Sequence, residues 1–169
     1  MMSYCKIICL ANSRKKNYRC FAGKEYSSLM LSRAKWIRPI SGHDDGAITE
    51  NEMLLQDGKV PNIFEIIKVP LKEKAPDFYQ PENVLISNEK WQRVGIYAKI
   101  NISKLLDYPN TLWVNEPHLD RVPVEYLQQK TPESSLLLIK AKKCRISRED
   151  YTNECGKKKS KVRLLFTYN

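Results

Sequence analysis

The stretch Tyr4-Cys5-Lys6-Ile7-Ile8-Cys9-Leu10-Ala11-Asn12-Ser13-Arg14-Lys15-Lys16-Asn17-Tyr18-Arg19-Cys20-Phe21-Ala22-Gly23 decides how this chain is read. Tyr4 to Asn12 predicts a strand whose centre is apolar on both faces, as in a strand buried on both sides. Asn12 to Asn17 has turn formers at both ends and three adjacent positive charges. Tyr18 to Ala22 predicts a second strand, stopped by Gly23. The unit is a β-hairpin with a basic tip.

Further along, Lys35-Trp36-Ile37-Arg38-Pro39-Ile40 predicts a third short strand. Pro39 cannot donate to a ladder, so it marks an edge or the strand's end. Ser41 to Gly46 is a polar loop. Asn62 to Leu71 predicts a fourth strand, rich in Ile and Val and bracketed by Pro61 and Pro70, and Asn83 to Ser87 a fifth. A short helix is expected at Ile102–Leu106, capped by Asn101 or Ser103. One or two helical turns are expected at Val124–Gln129. Ser135 to Ile146 predicts a long strand, bulged near Lys140–Lys143. Cys155 to Ser160 predicts a basic loop. In Lys161–Tyr168, Val162, Leu164, Phe166 and Tyr168 face one way and Arg163 and Thr167 the other. The sequence has no fixed-period repeat and no long low-complexity segment. The expectation is a mainly β chain: two small OB-like β-barrels in tandem with a few short helices, at 1–88 and 89–169.

The 169 residues suffice for a buried core. Apolar runs of four or five residues fall far short of the ~20 that a membrane span needs. Met1 to Lys6 lacks the pattern of a signal peptide, so the cytoplasm is the expected compartment. Five cysteines (Cys5, Cys9, Cys20, Cys144, Cys155) make an odd number with no Cys-x-x-Cys pair. Cys5 and Cys9, four apart in an apolar strand, are expected to be buried reduced thiols rather than metal ligands, and no spacing suggests a disulfide framework.

Charge is unevenly spread. Residues 1–40 hold nine basic residues against Glu25, a net +8. Residues 140–163 hold ten against three acidic ones, a net +7, whereas 41–139 carry −5. If the two basic ends meet, one face attracts polyanions, of which nucleic acid is the commonest. If they do not, they are two solvated lysine-rich loops.

A hydrolytic triad needs a histidine base, and neither His43 nor His118 has a nucleophile motif beside it. Asp44-Asp45 fits a turn better than a cation site. There is no P-loop or dinucleotide fingerprint, so no catalysis, cofactor or metal is expected. Binding residues are easier to name. Trp36 and Arg38 share one face of a strand, where an indole stacks on bases and a guanidinium meets phosphate. Ser13, Arg14 and Lys15 sit on the loop between strands 1 and 2, one wall of an OB-fold groove, with Arg19 just after it. Lys157, Lys158, Lys159 and Lys161 form a second basic cluster. In Gln80-Pro81-Glu82-Asn83, Glu82 is placed to fix Arg38 and Asn83 to read a base edge. Each of these residues also has an ordinary structural reading, as a half-buried aromatic, a hairpin tip or a turn.

The stretches Lys6–Lys15, Arg19–Glu25 and Trp36-Ile37-Arg38-Pro39-Ile40-Ser41 together resemble a prokaryotic family described as a dual OB-containing domain. Gln80–Asn83, Trp91, Leu112-Trp113 and Ser135–Ile139 continue the resemblance over nearly the whole chain. It implies two OB-like barrels, nucleic-acid or nucleotide sensing, and a bacterial conflict system. Similar chains continue past a segment like Leu165–Tyr168 with another strand, so the second barrel is expected to lack its closing strand. A homodimer or a partner protein completing that barrel is therefore expected. The functional expectation is a non-catalytic module binding single-stranded DNA or RNA. Its rivals are a pocket for a nucleotide-derived ligand and a protein-interaction adaptor.

Overall fold

The computed structural model describes residues 3–15, 18–27, 34–43, 46–115 and 122–168. The chain divides into two compact units, residues 1–137 and 138–169. In the first, β1 (Ser3–Lys15), β2 (Tyr18–Glu25), β3 (Trp36–Ile40), β4 (Glu65–Lys74) and β5 (Asn83–Ile86) form a closed five-stranded barrel. The ring runs β1-β2-β3-β5-β4 and returns to β1, with β3–β5 as its parallel pair. The sheet is mainly antiparallel and the fold mainly β, as the sequence predicts.

Two features of β1 close the ring. Its length allows Ser3–Ile8 to pair with Leu71–Ile66 of β4 while Ile7–Lys15 pair with β2. A register slip between Cys9 and Ala11 sharpens the bend between the two partners. Ile7, Ile8 and Cys9 are all fully buried, so the strand's centre is apolar on both faces as expected. The barrel core gathers Ile7, Cys9, Phe21, Ile48, Met53, Ile67, Val69 and Trp91. Phe21 and Trp91 meet edge to face at 5.0 Å between centroids.

The ladder differs from the sequence reading in several places. β2 runs through Gly23 to Glu25. Gly23 lies against β1 so closely that a Cβ would sit 1.9 Å from the Ile8 carbonyl oxygen. Here the glycine permits close approach rather than ending a strand. β4 begins at Glu65, not Asn62, because Phe64 has a left-handed φ of 71° and a turn brings the Glu65 N–H to the Asn62 carbonyl. A further strand, β6 (Gln92–Ile96), pairs with residues 65–68 of β4, on the edge that β5 uses further along. The pairing of this sheet thus runs past residue 88. A 3-10 helix follows at Lys99–Leu105, where a short helix was expected, and α1 (Val124–Gln129) matches its expected span.

The second unit contains β7 (Lys142–Thr152) paired antiparallel with β8 (Lys158–Thr167). This second sheet has two strands among the described residues. The strand expected from Ser135 begins only at Lys142, because Ser135 is bonded elsewhere, to Glu82. The expected bulge is present: the register slips between Lys142 and Arg145, and Lys143 has φ 48°. The turn is shorter than the expected loop, with Gly156 at φ 71° and Lys158 already in β8.

Candidate nucleic-acid interface

In a five-stranded OB-type barrel, oligonucleotides are bound on the face of strands 2 and 3, between the loops joining strands 1–2 and 4–5. In this chain that face carries a cleft of about 550 Å³. Lys24 of β2, Lys35, Trp36 and Ile37 around β3, Lys74 at the end of β4 and Pro81–Val84 entering β5 line it. Asp107, Glu133 and Ser134, from the segment that follows the 3-10 helix, complete the wall.

β2 and β3 meet through Gly23↔Ile37 and Lys24↔Trp36. That register sets Lys24 beside the Trp36 ring, with Nζ 5.6 Å from its centroid. Lys24 is only 4 % exposed, so its charge needs a partner. Asp107 supplies it: one carboxylate oxygen forms an ion pair with Lys24 Nζ, and the other accepts the Trp36 indole N–H at 3.0 Å. Opposite, the parallel β3–β5 pair sets Arg38 against Asn83. The Arg38 N–H donates to the Glu82 carbonyl at 3.0 Å. The carboxylate of Glu82 is not on Arg38. It accepts the Ser135 N–H at 3.1 Å and the Ser135 hydroxyl, since an acid buried on this face needs donors close at hand. Asn83 is 6 % exposed and donates from Nδ2 to Gln80 Oε1 at 3.3 Å.

Of the residues singled out from sequence, the cleft therefore brings together Trp36 and Asn83, with Arg38 beside Asn83 in the ladder. Ser13 and Arg14 lie exposed at the other end of the β1–β2 ladder, where Arg14 faces Arg19. Five residues of strand separate Arg19 from Lys24, about 17 Å. Arg19 is engaged there by Glu50, its Nε donating at 2.8 Å. That bond and the guanidinium charge hold the Glu50 carboxyl below its ordinary pKa. Of Lys15 only the backbone is described, and Lys16, Asn17, Asp44, Asp45 and His118 lie outside the described residues.

Lys157, Lys158, Lys159 and Lys161 are exposed on the hairpin of the second unit. The Lys157 N–H donates to Asn153 Oδ1 at 2.8 Å, fixing the turn. Lys159, Lys161 and Arg163 alternate onto one face of β8, opposite Tyr151, Glu149 and Ser147, and Arg163 pairs with Glu149 at 3.6 Å. The other face carries Val162, Leu164 and Phe166, as the alternation predicts.

Sequence reasoning missed Lys24, Lys35, Lys74 and Asp107 as site residues. A charged residue directly after Gly23 was a usable signal for Lys24, because a lysine inside a continuing strand must find a partner. Nothing local in the sequence points to Asp107.

A family model described as the dual OB-containing domain matches residues 5–169, and the chain belongs to that family. No curated protein and no solved structure matches it significantly.

Proposed function

We propose, from the chain's place in the dual OB-containing domain family, that it is a non-catalytic module binding single-stranded nucleic acid on the β2–β3 face of its barrel. The observation that carries this reading is the cleft itself. It combines an aromatic ring, exposed lysines and a buried amide at the position where five-stranded OB barrels take oligonucleotides. Trp36 offers a stacking surface to a base. Lys35 and Lys74, both exposed on the rim, meet phosphates. Arg14 adds sequence-independent attraction for the backbone, and the lysines Lys157, Lys158, Lys159 and Lys161 give the second unit a basic surface of its own. A bacterial defence or regulatory setting follows from the family resemblance alone and goes with this proposal.

One observation favours a second reading. The cleft's volume is that of a small-ligand site, which suits a single nucleotide or nucleotide-derived signal. Fluorescence titration with homopolymers of increasing length and with mononucleotides separates the two. Affinity that rises with length supports the strand-binding surface. Saturation by a mononucleotide with no gain from length assigns the cleft to a small ligand. Binding of neither removes both.

A further inference from the structure

We infer that Lys24 and Trp36 form a phosphate-binding subsite that the chain's own Asp107 occupies, so that a bound strand must displace Asp107 to reach full contact; this rests on the nucleic-acid reading of the same cleft. Two donors converge here, the Lys24 ammonium and the Trp36 indole N–H, on a face whose fold position is that of an oligonucleotide surface. Lys24 is almost wholly buried, so its charge is built into the site rather than loose on the surface. The group it holds is a carboxylate bridging both donors, one oxygen to each. A phosphate likewise presents a pair of anionic oxygens that two donors can share, and its bonds to an ammonium and an indole N–H are charge-assisted in the same way.

Asp107 is also well placed to leave. It belongs to residues 106–115, which follow the 3-10 helix and lie outside helix and strand. It reaches the barrel from 83 residues away in sequence, and it shares the cleft wall with Glu133 and Ser134 of the same downstream region. A strand docking over β2 and β3 brings phosphates against this acidic wall. Asp107 then either repels the phosphate or gives up its donors to it, and the second outcome recovers both charge-assisted bonds.

Asp107→Asn tests this, because it keeps the side-chain shape and removes the charge. The substituted chain is expected to bind a twelve-nucleotide single strand about tenfold more tightly than the natural one. Inorganic phosphate is expected to shift the Trp36 indole N–H resonance, identified by its loss in Trp36→Phe, in Asp107→Asn at concentrations that leave the natural chain unchanged. Equal or weaker strand binding by a folded Asp107→Asn chain overturns the inference while leaving the strand-binding reading intact. If neither chain binds the strand but phosphate still moves the resonance in Asp107→Asn, the anion subsite stands and the nucleic-acid reading fails. If phosphate moves nothing and the strand binds neither chain, both fall. The natural chain provides a check without any substitution. Its Trp36 indole resonance must move on saturation with the strand, and an unmoved resonance at saturation overturns the inference.

Discussion

Lys24 Nζ and the Asp107 carboxylate, 83 residues apart in sequence, form an ion pair on the β2–β3 face of the barrel, with the Trp36 indole N–H on the carboxylate's second oxygen. The pair fastens the downstream segment to the barrel at the cleft over β2 and β3. Lys24→Met is expected to keep the fold, because a linear apolar chain of similar length fills the position, but to melt earlier, because the Asp107 carboxylate loses the ammonium opposite it. It is expected to weaken strand binding. Circular dichroism with an oligonucleotide titration checks both; a Lys24→Met chain that binds normally removes Lys24 from the interface.

Trp36→Ala is expected to cost about 1–3 kcal/mol of strand binding if the ring stacks on a base. Trp91→Ala, by contrast, removes a fully buried ring packed edge to face on Phe21, and is expected to cost about 3–5 kcal/mol of stability. Thermal unfolding with binding isotherms on the two variants separates these roles. A Trp36→Ala chain that melts early yet binds normally reassigns Trp36 to the structure. Because Trp91 lies past residue 88 and belongs to the barrel core, a fragment ending at 88 is expected to lose its cooperative melt.

Much of this was legible locally. The hairpin of β1 and β2, the short β3 with Pro39 and the alternation of Val162, Leu164 and Phe166 are written in runs of neighbouring residues, and the strands stand there. What was missed depends on contacts between distant segments. β6 is a five-residue strand containing Gly95, and its alternation is too weak to be read without β4 beside it. Ser135–Ile139 looks like strand because it is largely apolar, but the Ser135 N–H is taken by Glu82 instead of a ladder. Trp36 and Asn83 were found in the site because an aromatic and an amide are conspicuous on short strands. Asp107 was not, because its importance lies in a partner 83 residues away.

Gly23→Ala is expected to weaken the barrel severely. The added Cβ would lie 1.9 Å from the Ile8 carbonyl oxygen and 2.7 Å from Ile7 Cγ2. Backbone cannot yield as a side-chain tip does, so β1 and β2 must separate there, at a cost of about 1–3 kcal/mol or more. Chemical denaturation measures it; an unchanged midpoint would show that the two strands lie further apart.

Acid sensitivity is expected from Glu65. Burial pushes its carboxyl up, but the Asn62 N–H at 2.9 Å and Arg93 Nη1 at 2.9 Å outweigh that and hold it below its ordinary pKa. A carboxyl with a lowered folded-state pKa contributes stability that is present above its unfolded value, about 4.3. That stability is lost as pH falls through the folded value. Glu65→Gln is expected to lower the neutral-pH melting temperature and to flatten the fall in stability below about pH 4.3. An acid limb as steep as in the natural chain would place the titration elsewhere.

Thiol reactivity should follow burial. Burial pushes the Cys5 and Cys9 thiols up to about 12, whereas Cys144 and Cys155 are exposed on the hairpin. An alkylating reagent at pH 8 is expected to label Cys144 and Cys155 first and to reach Cys9 only on unfolding, because the thiolate is the reactive form. Peptide mapping of a time course reads the order, and early labelling of Cys9 would contradict the packing of β1.

The proposed binding of single strands engages both their phosphates and their bases. The most direct test is the affinity for a fluorescent single-stranded oligonucleotide across a series of salt concentrations. With Lys35, Lys74 and at least one further cation on phosphate, log affinity is predicted to fall against log salt with a slope of about −2 or steeper. A slope near zero, or no binding at low salt, contradicts the claim.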